Sequence, residues 1–220
     1  MHKKVLIDKE LLAKNEDVCI GQLEASIDFS QSNDDLQDLI STEIDVIKNM
    51  TLEGIKEIPS ISELRKTYKL CGKAPSRYRS SCEAMMRRII QGKGLYQVNT
   101  LVDVGNYISL KIRNSIGLYD LSKIDGDIMF RIGKANEQYM GIGRYELNME
   151  GMPLLSDNTG AFGSPTSDSE RTSITEGVQE IILLIFSFNG SDRLEKHIKL
   201  ASDILSKYCN ARNIVSKTIE

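Results

Sequence analysis

Apolar residues recur every three or four positions in five segments of the chain, and this spacing predicts five amphipathic helices. The segments are 34–50, 61–69, 81–91, 100–112 and the stretch from Leu194 to Tyr208. Four of these helices follow a residue type that caps helix N-termini through a side-chain oxygen. The predicted N-caps are Ser60, Ser80, Asn99 and Ser191, and Glu63 and Glu83 complete two capping boxes.

Other patterns predict β-strands. Residues 18–29 alternate in part between apolar and polar, and residues 127–133 follow the turn signal Asp125-Gly126. The continuous apolar run of residues 180–188 predicts a central strand that is buried on both faces. Weaker strand candidates are 137–143 and 153–157. Helices and strands alternate without a repeated unit, so we predict an α+β fold with a mixed β-sheet flanked by helices.

We expect residues 1–220 to form a single domain. Residues 1–59 supply its first strand and helix, and residues 191–220 supply its last helix. Residues 158–173 are rich in Gly, Ser, Thr and Asp and predict a long loop. A loop of this length inside a compact domain often carries function.

Basic residues are concentrated in one part of the chain. Residues 65–93 hold nine lysines and arginines and one acid, Glu83, which gives a net charge of +8. The whole chain has a net charge of −3, so the remaining residues carry −11. Such a segment suits an anionic partner, although a solvated basic surface explains it equally well.

Composition excludes several classes of protein. The longest apolar run, Ile181–Phe186, is too short for a bilayer span of about 20 residues, and the N-terminus lacks the apolar stretch of a secretory signal. Four scattered cysteines and two histidines predict neither a disulfide framework nor a zinc site. We therefore expect a cytoplasmic protein with no cofactor, no metal and no membrane partner. Its oligomeric state stays open.

Two polar segments are candidates for binding an anion. Arg77, Tyr78 and Arg79 precede the predicted cap Ser80, at a helix N-terminus whose free N–H groups favour an anion, and the tyrosine could stack on a base. In the loop segment TSDSERT, Arg171 could clamp a phosphate or carboxylate with two parallel hydrogen bonds. The alternative for both segments is internal ion pairing, which for Arg171 would involve Asp168 or Glu170.

Five segments occur in an informative order. They are KAPSRYRSSCEAMMRRIIQGKGL (73–95), LVDVGNYISLKI (101–112), GLYDLSKIDGDIMFRIG (117–133), LLSDNTGAF (154–162) and SERTSITEG (169–177). Together they resemble the B3/B4 domain of the phenylalanyl-tRNA synthetase beta chain, and its free-standing bacterial relatives in particular, most strongly over residues 60–190. The resemblance implies a mixed α/β fold and a pocket, which in the synthetase hydrolyses mischarged Tyr-tRNA.

The resemblance also implies a set of site residues. The positions that carry over are Arg77, Tyr78, Arg79, Ser80, Asn106, Asp120, Gly126, Asp157, Ser169, Arg171 and Thr172. Gly117 stands where the synthetases have a histidine, and their editing glutamate has no counterpart in the apolar run 181–186. Any hydrolysis would therefore need Glu170 or Asp157 as the base, or the ribose hydroxyl of the substrate.

Two functions from different classes remain open. The first is a module that binds tRNA or aminoacyl-tRNA, with an editing-type deacylase activity left undecided. The second is a binding protein or hydrolase for a small, amino-acid-like molecule that has lost RNA binding. A purely structural domain is a third option. No adenylate-binding motif is visible, so we expect no phenylalanine–tRNA ligase activity from this chain alone; that label would describe the parent enzyme.

Overall fold

The computed structural model describes residues 2–28, 34–143 and 145–220. Its helices are α1 (Lys9–Lys14), α2 (Asp34–Lys48), α3 (Leu52–Glu57), α4 (Pro59–Leu70), α5 (Ser81–Ile90), α6 (Thr100–Ile112) and α7 (Leu194–Cys209). Its strands are β1 (Val5–Ile7), β2 (Cys19–Ser26), β3 (Ile116–Asp120), β4 (Ile128–Ile132), β5 (Gln138–Gly141), β6 (Tyr145–Asn148), β7 (Pro153–Ser156), β8 (Ala161–Gly163), β9 (Glu180–Ser187) and β10 (Arg212–Ile219). Two short 3-10 helices span Leu121–Lys123 and Glu170–Thr172. The α+β class is therefore confirmed.

The strands form two four-stranded sheets and one hairpin. The main sheet has the order β10-β2-β9-β3, and all its neighbours are antiparallel. The second sheet has the order β1-β4-β7-β8 and is mixed, because β1 pairs with β4 in parallel. Strands β5 and β6 form the hairpin.

Strand β9 lies at the centre of the main sheet and is buried on both faces. Ile181, Leu183 and Ile185 belong to a core shared with α6 and α7. The alternate residues from Ile182 to Phe186 belong to a core shared with the second sheet. The molecule is thus layered as helices, main sheet and second sheet, and the predicted central strand is confirmed because its apolar run supplies both cores.

Helix α5 is positioned by a third, smaller core. Met86 and Ile89 of α5 pack with Ile47 of α2, Ile55 of α3 and Leu110 of α6. Ser80 caps α5, since its hydroxyl accepts a hydrogen bond from the Glu83 N–H at 3.2 Å. The packing fixes the start of α5 beside the loop after β8, where the Ser81 N–H donates to the Pro165 carbonyl at 2.8 Å.

Several boundary predictions were wrong. Helix α4 begins at Pro59, and Ser60 donates its hydroxyl to the Arg113 carbonyl instead of capping the helix. Ser191 bonds to Glu220, and α7 begins after Arg193 without a side-chain cap. The predicted loop 158–173 contains β8 and a 3-10 helix. The end of the predicted strand 18–29 falls outside the described residues. None of the described helices has the length and apolar character needed to span a membrane.

Candidate ligand pocket and basic turn

A pocket of about 500 Å³ lies between α5, α6 and β3, and we call it the α5–α6 pocket. Its walls are mainly apolar, with Met85, Val102, Ile116, Leu118 and Ile174 among them. Its polar lining residues are Ser81, Arg88, Asn106, Ser109, Asp168 and Ser173. An apolar cavity of this size with a few polar groups is typical of a small-ligand site. A larger cavity of about 810 Å³ at the start of α7 is lined by none of the predicted site residues.

Asp168 lines one side of the pocket, and its hydrogen-bond partner, the fully buried Tyr119, lies behind the lining. The Tyr119 hydroxyl donates to the Asp168 carboxyl at 2.6 Å. A Cβ atom at Gly117 or at Gly163 would overlap the Tyr119 hydroxyl, so both glycines are needed to admit the ring. The space beside Gly117 is therefore filled by the Tyr119 ring.

The Asp168 carboxyl is enclosed by protein although the residue keeps some exposure towards the pocket. Burial raises its pKa to about 7, even though the hydrogen bond from Tyr119 acts in the opposite direction. Burial, and next the neighbouring Asp168 charge, raises the pKa of Tyr119 well above its ordinary value. Tyr119 therefore stays a hydrogen-bond donor, while Asp168 changes its charge near neutral pH.

Arg88 and Tyr96 form one edge of the pocket. The Arg88 guanidinium lies 3.9 Å from the centroid of the Tyr96 ring, within the range of a cation–π contact. The ring is 69% exposed. Within the described part of the chain, the buried Arg88 Nε has no hydrogen-bond partner. This edge therefore offers a donor and a flat aromatic surface to a ligand.

The predicted turn lies beside this pocket. Arg77 and Arg79 are exposed, and no carboxylate of the described residues pairs with either. Tyr78 is half-buried, and its ring centroid lies 5.6 Å from the Arg77 guanidinium and 5.5 Å from the Lys73 amine. Since Ser81, which lines the pocket, follows the turn within two residues of Arg79, the exposed positive charge adjoins the pocket.

Other basic residues of segment 65–93 form ion pairs with carboxylates of the protein itself. Glu83 is fully buried and accepts from Arg65 at 3.0 Å and from Arg87 at 2.8 Å. Lys66 pairs with Glu63 at 2.7 Å on the surface of α4. The net charge that is free to meet an anion is therefore smaller than the sequence count of +8 indicates.

Asp157 and Arg171 form an ion pair away from the α5–α6 pocket. Two guanidinium nitrogens donate to the two Asp157 oxygens, both at 2.9 Å, and the Asp157 side chain is fully buried. Burial opposes ionisation of Asp157, but the hydrogen bonds from Arg171 and from the Asp125 and Gly160 amides outweigh it and lower its pKa. Arg171 thus pairs with Asp157 and not with Asp168 or Glu170, and the Asp157 carboxylate is engaged within the fold.

The other predicted loop residues have local roles. Asp120 accepts from the Ser122 amide and hydroxyl and lies 3.4 Å from the Lys123 amine, and Gly126 occupies a positive-φ turn beside Asn158. The Ser169 hydroxyl caps the 3-10 helix, Thr172 is buried, and Glu170 is exposed. None of these residues lines the pocket.

Asn106 is the predicted residue that the structure places in the pocket lining. Asp168 and Ser81 each lie one residue from a predicted position, Ser169 and Ser80. Sequence reasoning did not assign Asp168, Arg88 or Tyr96 to a site. The absence of a side chain at Gly117 was the signal that could have led to Tyr119 and its partner Asp168.

The comparisons with known proteins place the chain in a family. The family model described as B3/4 domain matches residues 63–215, so the chain belongs to the B3/4 domain family. This confirms the resemblance drawn from the sequence segments. In addition, the fold is similar to an N-terminal fragment of the phenylalanyl-tRNA synthetase beta-subunit from Pyrococcus horikoshii, with a TM-score of 0.52 and 13% identity over 99% of this chain and 54% of that chain.

Curated relatives carry the name phenylalanine–tRNA ligase beta subunit. The protein from Bartonella quintana is 30% identical over 101 residues, which is 44% of this chain and 12% of that protein. The protein from Chlorobium chlorochromatii is 25% identical over 140 residues, which is 61% of this chain and 17% of that protein. The chain therefore matches less than a fifth of the length of these relatives.

Proposed function

We propose that this chain binds aminoacyl-tRNA, with the aminoacyl group in the α5–α6 pocket and nearby phosphates at the Arg77–Ser80 turn. One observation carries the proposal: an apolar pocket with a carboxyl group adjoins a turn with two unpaired, exposed arginines. An aminoacyl ester on a tRNA end presents an ammonium, an apolar side chain and phosphates within one short span. The names of the curated relatives support a tRNA context.

The pocket walls suit the amino acid and the turn suits the nucleic acid. Met85, Leu118 and Ile174 offer apolar contact to a side chain, and Asn106 can both donate and accept hydrogen bonds. Arginine side chains supply the charge-assisted, two-pronged hydrogen bonds that phosphates accept. The proposal also includes that residues 1–220 form a single domain. It further includes that the protein is located in the cytoplasm, where tRNA is present.

We propose binding as the principal activity, ahead of ester hydrolysis. No histidine is among the described residues that line the pocket, Asp157 is held by Arg171, and Glu170 lies outside the pocket lining. Hydrolysis would have to use Asp168 or the ribose hydroxyl of the substrate. Ligase activity is not part of the proposal, because no adenylate-binding motif is visible in the sequence.

Filter binding of tRNA at several salt concentrations tests the RNA part of the proposal. We expect affinity to fall with salt, and Arg77→Ala and Arg79→Ala each to reduce the slope of log K against log salt by about 0.7 to 0.9. Lys199→Ala is the matched control, since Lys199 is paired with Asp203 on α7. Absence of tRNA retention at low salt would contradict the RNA part.

The second candidate function is binding of a free, amino-acid-like molecule without RNA. It is favoured by the internal pairing of Arg65, Lys66 and Arg87, which leaves the basic segment less charged towards solvent. Retention of a free aromatic amine together with no retention of tRNA would select this function.

A further inference from the structure

Asp168 differs from the enclosed carboxyl groups of Glu83 and Asp157 in its surroundings. Glu83 and Asp157 are each compensated by arginine side chains. Among the described residues, no lysine, arginine or histidine lies at ion-pair distance from Asp168. An enclosed carboxylate without a cation is unfavourable, and its attraction for a cation that reached it would be stronger than in water.

The fold holds Asp168 firmly in this position. The Ser169 N–H donates to the Phe162 carbonyl at 2.8 Å, and the Ile142 N–H donates to the Asp168 carbonyl at 3.1 Å. Tyr119 fixes the side chain through its 2.6 Å hydrogen bond. This contact requires glycine at positions 117 and 163, because a Cβ atom at Gly117 or Gly163 would overlap the Tyr119 hydroxyl.

The pocket also has an unmatched donor. The buried Nε of Arg88 has no hydrogen-bond acceptor in the described part of the chain. A buried donor without a partner costs free energy, which an acceptor on a ligand would recover. The pocket lining thus includes a carboxyl group without a cation and an arginine whose Nε lacks an acceptor in the described part of the chain.

We propose that Asp168 binds the ammonium group of a ligand whose apolar body lies against Ile116, Leu118 and Ile174. The ligand class is a primary amine with an apolar or aromatic body, and an acceptor such as a carbonyl would meet Arg88. The inference rests on the proposed function, because the aminoacyl group of aminoacyl-tRNA belongs to this class. It assigns the recognition of the amine to Asp168, whose carboxyl group is positioned by the hydrogen bond from Tyr119.

The binding should depend on pH in one direction. The titratable groups that face Asp168 are Tyr119 from β3 and Tyr139 from β5, and Arg88 on α5 lines the same pocket. Burial raises the pKa of both tyrosines, so neither ionises near neutral pH. Asp168 is therefore the group that titrates, and amine binding should strengthen as pH rises through about 7.

Calorimetric titration of the full chain with 2-phenylethylamine and with 2-phenylethanol tests the proposal without RNA. At pH 8 we expect the amine to bind about tenfold more tightly than the neutral alcohol. Asp168→Asn should abolish this preference, while Asp127→Asn, the same change at an exposed carboxylate outside the pocket, should keep it. Equal binding of both compounds, binding of neither, or a preference that survives Asp168→Asn would overturn the proposal.

Tyr119→Phe tests Asp168 through the midpoint of the pH dependence of amine binding. This midpoint should not change if Asp168 has only a structural role. The substitution removes a hydrogen bond that favours the carboxylate, so the midpoint of the pH dependence should shift upward. An unchanged midpoint would count against Asp168 even if Asp168→Asn failed to fold. Loss of tRNA binding with retained amine preference would remove the proposed function and leave this inference standing.

Discussion

Replacing Glu83 by glutamine should destabilise the protein more than any comparable change of an exposed glutamate. The Glu83 side chain is 0% exposed and accepts hydrogen bonds from two arginines at 2.8 and 3.0 Å. Glutamine keeps the shape but removes the charge, which leaves Arg65 and Arg87 without compensation. Breaking a buried ion pair on one side costs about 3–5 kcal/mol, and we expect the lower end because both arginines are partly exposed.

For a chain of this size, a loss of about 3 kcal/mol corresponds to a fall in Tm of roughly 6–12 °C. Urea unfolding followed by circular dichroism gives the free energy directly, and thermal melting gives Tm. Glu63→Gln is the matched control: its pair with Lys66 is largely exposed and should contribute less than about 1 kcal/mol. Equal losses in the two variants would refute the argument that burial makes the Glu83 ion pairs more costly to break than the exposed Glu63 pair.

Three further changes have defined outcomes. Asn99→Ala removes the 2.9 Å cap on the Val102 N–H and should cost about 1 kcal/mol in urea unfolding; no loss would mean the cap is replaced by water. Gly117→Ala places a Cβ against Tyr119 and should cost about 1–3 kcal/mol, whereas an unchanged melting curve would show that the ring can move aside. For Asp168, the pKa of about 7 in the folded state lies above the unfolded value, so its contribution to stability is full below about pH 4 and is lost as pH rises to 7. Wild type should therefore lose stability relative to Asp168→Asn over this range, and parallel pH curves for the two proteins would contradict the assignment.

The central strand and the main helices could be predicted because their patterns are dictated by burial. Residues 181–186 are all apolar, as a strand between two cores requires, because its alternate side chains face opposite cores. Asn99 caps α6 as predicted because its side chain is free to turn back on the helix.

Other elements could not be read from local patterns. Strand β10 is exposed at most positions and lies at the edge of the main sheet, so it has no alternation, and only its pairing with β2 defines it. Helix α4 begins at Pro59 because proline suits the first turn, and this leaves Ser60 inside the helix. Short strands such as β1 are fixed by parallel pairing with a distant segment, β4.

The site residues, too, could not be predicted from local sequence patterns. Arg171 pairs with Asp157, fourteen residues away, because the loops after β3 and β7 meet there. It does not pair with the acids nearest to it in sequence, Asp168 and Glu170. Asp168 gains its role from Tyr119, forty-nine residues earlier, and from two glycines that admit the ring. Such a pair exists only once the sheets have packed, and composition or spacing does not encode it.

The most direct test of the central claim compares the affinity of the full chain for Tyr-tRNA and for the same tRNA without its amino acid. If the α5–α6 pocket holds the aminoacyl group, Tyr-tRNA should bind about tenfold more tightly. Ala84→Phe, which places a ring in the pocket from an exposed position of α5, should remove that difference, and Ala135→Phe outside the pocket should preserve it. Equal affinities for charged and uncharged tRNA in the unmodified protein would contradict the account.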